Sequence, residues 1–313
     1  MPGAPLVSLV IPCYNHGAFL DEALASIGTP AVATEIVVVD DGSTDSTSDV
    51  VARFETANAF RSVRQQNSGL AAARNRGLRE SRGEFVVFLD ADDRLAPGAV
   101  DFAAAVLAER PECAFVFGRC RMMDRDGNML DTPVQARIVR DHYRELLRRN
   151  YIWMPGMVMF RRDALERVGG FNPAVNASAD YDVYLHIARH HPVHDHGKVV
   201  AYYRKHDANM SGNAARMLRE TLAVMSAQRP FLEGDEASLA AYHEGWRNWQ
   251  EFYGAHLATE IRTAVRQRRL FEAAGKATVL GFYHPRGLWH HARRKTQLTL
   301  GGKGKRRAFP SRT

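Results

Sequence analysis

Short apolar runs alternate with helical patterns through the first 120 residues, which is the signature of βαβ units on a mostly parallel sheet. Val7-Ser8-Leu9-Val10-Ile11 reads as a strand ended by Pro12, and Ala18 to Ile27 as a helix with Phe19, Ala23, Leu24 and Ile27 at its apolar positions. Glu35 to Val39 is a second strand, closed by Asp40-Asp41-Gly42-Ser43. Ser46 or Asp45 is placed to cap a helix through Phe54, and Ser62 to Gln66 predicts a third, more polar strand. Ser68 would cap an alanine-rich helix from Gly69 to about Ser81, and the buried run Phe85-Val86-Val87-Phe88 follows. Pro97 stands where a first helical residue would, opening a helix to Glu109.

Beyond this point the regular alternation gives way to mixed elements. Cys113 to Phe117 predicts a strand, Asp124-Arg125-Asp126-Gly127-Asn128 a turn between extended segments, and Asp141 to Arg149 a helix. Met157 to Phe160 is a strand, a short helix starts at Asp163, and Ala179 to Arg189 is amphipathic with Tyr181, Tyr184, Leu185 and Ala188 on its buried face. Val199 to Arg204 is the last predicted strand. The histidine-rich stretch His190 to His196 contains Pro192, which breaks helical spacing, so it reads as a solvated loop rather than a metal site. From Ala214 onward helix formers dominate, which places a domain boundary near Asn213: residues 1–213 form an α/β domain and residues 214–313 an α-helical appendage.

Composition and charge narrow the class. With 45% hydrophobic and 25% charged residues the chain is ordinary for a globular protein. Its longest apolar runs fall far short of the ~20 residues that span a bilayer, and the amino terminus lacks a basic segment followed by a long apolar one. The expected location is the cytosol. Cys13, Cys113 and Cys120 show no CxxC spacing and read as small buried residues. The net charge of +7 is uneven: Ile261 to Thr313 carries 14 Lys and Arg against the single acid Glu272, so the remainder is acidic. The tail's cations, interleaved with Phe282, Tyr283, Trp289 and Leu298, suit an anionic surface at the inner face of a membrane better than nucleic acid, and a solvated tail equally well.

The densest chemistry is Leu89-Asp90-Ala91-Asp92-Asp93, three carboxylates in four positions at the end of the Phe85 strand. That edge is where open α/β sheets bind ligands. Carboxylates crowded so closely repel one another unless something positive sits among them, and a hard divalent cation with an anionic ligand is a natural partner. The cluster suggests a metal-assisted enzyme acting on a phosphorylated substrate.

Four segments stand in order: Ser8 to Asn15, Val39 to Asp45, Gln66 to Asn75, and Phe88 to Asp93. Together they resemble the family 2 glycosyltransferases over about residues 6 to 211. The resemblance implies a GT-A fold, a nucleotide-diphosphate sugar donor and inversion at the anomeric carbon. It also implies that the backbone at Pro12, the Tyr14 ring, Asn15 and Asp41 surround the base, with Arg74 facing the nucleotide. A carboxylate can accept from a uracil imide and a ring can stack on its face, which favours UDP-sugars. The acidic cluster resembles the family's DxD motif, with Asp90 and Ala91 toward the donor, Asp92 as direct ligand of Mn²⁺ or Mg²⁺, and Asp93 behind it or capping the next helix.

The same resemblance places the catalytic base at Asp180, in Ser178-Ala179-Asp180-Tyr181-Asp182 after Gly169-Gly170-Phe171. Ala179 departs from the glutamate common there, and Asp182 is a fallback. Tyr202 to Ser211 resembles the segment closing the catalytic domain, which implies that His206 approaches the metal or the diphosphate, where a neutral imidazole is a suitable ligand for Mn²⁺. Trp153-Met154-Pro155-Gly156 borders either a pocket or the core. The implied acceptor is a hydroxyl of a cell-envelope glycan or lipid-linked intermediate. The rivals are a nucleotidyltransferase, which the late base and the His206 segment oppose, and a non-catalytic sugar-nucleotide-binding scaffold, which Ala179 favours.

Overall fold

The first strand, β1 (Val7–Cys13), is buried along its whole length, as a central parallel strand covered on both faces must be. The computed structural model of the protein describes residues 6–55, 60–207 and 209–285. After β1 come α1 (Gly17–Ile27), β2 (Thr34–Asp40), α2 (Thr47–Phe54), β3 (Phe60–Arg64), α3 (Leu70–Glu80), β4 (Phe85–Phe88), β5 (Arg94–Leu95) and α4 (Ala99–Ala108). The chain continues through β6 (Phe115–Met123), α5 (His142–Arg148), β7 (Val158–Arg161), α6 (Arg162–Arg167), α7 (Ala179–Ala188) and β8 (Val193–Arg204). Three helices follow: α8 (Ala214–Gln228), α9 (Glu236–Arg266) and α10 (Leu270–Tyr283).

The strands form one sheet in the order β3-β2-β1-β4-β7-β6-β8-β5. β3, β2, β1 and β4 run parallel, while β7 pairs antiparallel with both β4 and β6. β6 and β8 are parallel, and β5 closes the edge antiparallel to β8. The chain leaves β1 toward β2 on one side and reaches β4 on the other, so a crevice opens at the carboxyl ends of these strands.

Several sequence expectations shift in position. β1 runs through Pro12 instead of ending there, because β4 pairs with β1 only as far as Val10 and Phe88, and Leu89 N–H donates to the Val10 carbonyl (3.0 Å). Pro12 shares the parity of Val10, so its missing N–H falls where no partner strand remains. β3 begins two residues earlier than expected, with Phe60 packed on Phe54 at 6.1 Å between ring centroids. Pro97 lies ahead of α4, which starts at Ala99 after Gly98 in the left-handed conformation (φ 70°). The histidine-rich stretch is not a loop throughout: His194, Asp195 and His196 belong to β8, where buried Asp195 takes a two-pronged salt bridge from Arg119 (2.6 and 2.9 Å).

The α3 cap comes from elsewhere. Ser68 turns its hydroxyl to the Gln66 carbonyl (2.8 Å), and Asn176 Oδ1 accepts from Ala71 N–H instead (2.7 Å). Gly77 lets α3 sit hard against the sheet, since a Cβ there would lie 2.1 Å from Val10 Cγ1.

The chain divides into two compact units: Met1–Asn213 with Glu220–Trp246, and Ala214–Arg219 with Arg247–Thr313. The described residues from Ala214 to Tyr283 are largely helical, as expected, and residues 220–246 group with the first unit. No helix among the described residues is long and apolar enough to cross a membrane. The three cysteines are free and buried. The basic tail from Arg293 to Thr313, and Trp289, lie outside the described residues.

Candidate active site

Three loops meet at the carboxyl edge. The loop after β1 carries Tyr14, 48% exposed, and Asn15, which has positive φ (57°). Asn15 joins this loop to the one after β2: its N–H donates to Ser43 Oγ (2.9 Å), and its Oδ1 accepts from Thr44 N–H (2.8 Å). Asp45 adds a second stitch, accepting from Gly17 N–H (2.9 Å) and from Thr47 at the start of α2. The buried Asp41 carboxylate gathers Gln65 Nε2 (2.8 Å), Ser68 N–H (2.9 Å) and Gly69 N–H (2.9 Å). It therefore shapes the loop before α3, with one of about four acceptor directions left over.

The acidic cluster is held by two buried arginines. Arg74, on the first turns of α3, donates from Nη2 to Asp90 Oδ1 (2.7 Å) and rests over the Phe171 ring. Arg204, fully buried in β8, donates from Nε to the Asp92 carbonyl (2.7 Å), from its backbone N–H to Asp93 Oδ1 (2.8 Å) and from Nη2 to Glu22 (2.7 Å). The protein itself thus supplies part of the positive charge that three crowded carboxylates require. Burial, then repulsion from Asp92 and Asp90, push Asp93 well above the usual carboxylate range. The Ala91 side chain is buried in the core, so only its backbone can face a ligand.

Asp92 presents itself differently. Its Oδ2 lies 2.9 Å from His206 Nε2 and 4.0 Å from His16 Nδ1. Burial works against its charge, yet the His206 hydrogen bond and nearby His16 outweigh it and lower its pKa. One donor atom from each of His16, Asp92 and His206 lies within 4.8 Å of the others. Phe19 stacks on His206 (5.0 Å between centroids), and Asn209 Oδ1 accepts from its N–H (2.5 Å). Two imidazoles and a carboxylate form a donor set that could hold a divalent transition metal. His16 was not singled out from the sequence; its place two residues after Tyr14, on a loop leaving a central strand, is the signal that could have found it.

Asp180 comes from the far side of the crevice. Asn75 clamps the approach to α7, donating from Nδ2 to the Phe171 carbonyl (2.7 Å) and accepting Phe171 N–H (2.8 Å). Asn176, two residues before Ser178, is tied to α3 by the cap already described. These links set Asp180, on the first turn of α7, within electrostatic reach of Arg74 and Asp90. Burial lifts its carboxyl to about 6, with Arg74 and the amides at the start of α7 holding it back. Asp182 is turned elsewhere, buried 3.7 Å from His186, and Ala179 is fully buried. Trp153 is half-buried, while Met154, Pro155 and Gly156 lie in the interior.

Two buried polar atoms at this site, Arg74 Nε and the Tyr184 hydroxyl, have no hydrogen-bond partner among the described residues. Tyr184, one turn after Asp180, is fully buried, with its hydroxyl unpaired among the described residues and its ring stacked on Phe160. A buried hydroxyl without a hydrogen bond is a net cost. Tyr184→Phe is therefore expected to leave stability unchanged or raise it by about 1 kcal/mol in denaturant unfolding. A loss of that size would show that the hydroxyl has a partner in solution.

Comparison with known proteins adds to this geometry. The family model described as Glycosyl transferase family 2 matches residues 8–169, just over half of the chain. A chondroitin synthase of Escherichia coli is 28% identical over 219 residues, covering 66% of this chain and 30% of that relative. The chain thus spans less than a third of that protein's length. Among solved structures, S. aureus TarS 1-349 in complex with UDP-GlcNAc superimposes with a TM-score of 0.59 at 17% identity, over 89% of this chain and 91% of the other. The mannosyltransferase PcManGT from Pyrobaculum calidifontis, in complex with GDP-Man and Mn²⁺, gives 0.61 at 22% identity, over 95% and 88%. At these identities the likeness is one of fold: a mixed, mostly parallel sheet flanked by helices, of the GT-A type.

Proposed function

The chain belongs to glycosyltransferase family 2, and from that premise we propose that it moves a sugar from a nucleotide-diphosphate sugar to an acceptor hydroxyl with inversion. The observation that carries this reading is the placement of Asp180 beside the Arg74–Asp90 pair, at the same sheet edge as the His16–Asp92–His206 group.

The donor's base sits among the Pro12 backbone, Tyr14, Asn15 and Asp41. Tyr14 is exposed enough to stack on it, and Asp41 offers its remaining acceptor direction to an imide, which favours UDP. Arg74, Asp90 and the Ala91 backbone bind the ribose and diphosphate. His16, Asp92 and His206 would hold the cation, and the imidazoles would favour Mn²⁺ over Mg²⁺. When bound, that cation neutralises the charge gathering on the diphosphate. The acceptor oxygen attacks the anomeric carbon and passes its proton to Asp180 as the bond from that carbon to the diphosphate oxygen breaks. A carboxylate is a weak base for an alcohol, so proton loss accompanies attack. A carboxyl raised to about 6 is better matched to that task near neutral pH than an ordinary aspartate.

The acceptor is a glycan or lipid-linked intermediate of the cell envelope, a reading supported by a polymer-forming relative. The enzyme works in the cytoplasm with its basic tail toward the inner face of the membrane.

The test is to incubate the chain with UDP-sugars, Mn²⁺ and a panel of glycan acceptors, and follow nucleoside diphosphate release and the product anomer by NMR. Release with an inverted linkage, abolished by chelation, is the expected result. Retention of configuration would overturn the mechanism.

A further inference from the structure

The second compact unit has an outward helix face that the transfer reaction does not use. α10 packs inward on α9: Lys276 bridges to Glu260 (2.8 Å), Gln250 donates to the Tyr283 carbonyl (2.5 Å), and Gly254 leaves room for Leu280 and His284. Its opposite face holds Phe271, Ala274, Gly275, Thr278 and Phe282, at spacings that bring them onto one side of a helix. All five are exposed, Phe271 at 97% and Phe282 at 78%, and none carries a charge. The two rings stand about 16 Å apart along the axis.

Cations precede this neutral face in the chain and follow it in the sequence. Before it, the last turns of α9 carry Arg262 and Arg266 and the connection to α10 carries Arg268 and Arg269, with exposed Val265 and Leu270 beside them. Arg269 is paired with Glu272, whereas Arg266 and Arg268 have no acidic partner among the described residues. After it, the sequence from Arg286 to Thr313 adds nine Lys and Arg and no acid.

We propose that this face of α10 docks on an anionic lipid bilayer, lying in the interface with Phe271 and Phe282 in the acyl boundary and the arginines at the headgroups. A neutral, aromatic-ended face bordered by unpaired cations is the composition of an interfacial helix. A second copy would bring the same cations against this surface and be repelled. Nucleic acid would need cations on the face itself, where there are none. The surface stands independently of the sugar-transfer reading.

The experiment is flotation of the full chain with vesicles of phosphatidylcholine alone or with 30% phosphatidylglycerol (about a third, enough to give a strong surface charge), at low and high salt. Binding to the anionic vesicles alone is expected, weakening with salt. Because both rings are exposed, the Phe271→Ser/Phe282→Ser variant keeps its fold by circular dichroism and its donor turnover. Its vesicle affinity falls tenfold or more, and each of Arg266→Gln and Arg268→Gln lowers affinity about fivefold. Equal binding to both vesicle types overturns the proposal. So does a double-serine variant that binds like the parent, which assigns the attraction to charge alone, or a concentration-dependent dimer that the same variant abolishes.

Discussion

Asp180→Asn lowers kcat by about a thousandfold, within the range expected when a general base is removed, and leaves KM for the donor nearly unchanged. Asparagine keeps the shape of the side chain and the start of α7 but cannot take the acceptor's proton. The pH profile supplies the second half of the result. Asp180 must be ionised to act, and burial lifts its carboxyl to about 6, so turnover falls tenfold per pH unit below that value and levels off above it. Arg74 and Asp90 face the same carboxylate from α3 and from the loop after β4, and Arg74 keeps it from rising further. Steady-state kinetics from pH 5 to 8 check both statements. A profile that shows no limb near 6, with the Asn variant at parental kcat, would remove Asp180 from the reaction.

Asp92→Ala costs roughly a hundredfold or more in metal-stimulated turnover, because the leaving diphosphate loses several kcal/mol of charge stabilisation. The loop survives this change: Arg204 holds it through the Asp92 carbonyl, which alanine retains, and through the Asp93 side chain. His16→Ala, at the candidate ligand that sequence reasoning passed over, is expected to weaken Mn²⁺ affinity with a smaller loss at saturating metal. Titrating Mn²⁺ against initial rate separates a raised metal requirement from a lost one.

What could be read from the sequence divides along physical lines. The parallel core was legible because β1, β4 and the second half of β2 are short runs of apolar and β-branched residues buried on both faces, and the β4 bounds coincide with the predicted run. The acidic cluster was legible as a candidate site because three carboxylates stand together at the carboxyl end of a strand. The arginines that hold it were not. Arg204 is separated from Asp92 by more than a hundred residues, and only the β8 register brings it under the loop. The cap on α3 was misassigned for the same reason: Ser68 is the local candidate, but Asn176 reaches Ala71 from a distant segment. His194 to His196 read as a loop because Pro192 breaks helical spacing, yet Pro192 also precedes the strand that Asp195 anchors to Arg119. Local pattern identifies elements; the long-range polar contacts that tune a site follow only from topology.

The most direct test of the central claim is calorimetric titration of UDP into the parent chain and into Asp92→Ala, each with and without Mn²⁺. Tight binding by the parent is expected only when Mn²⁺ is present, and weak, metal-independent binding by the variant. Equal UDP affinity in all four titrations would contradict metal-assisted binding of the diphosphate by these residues.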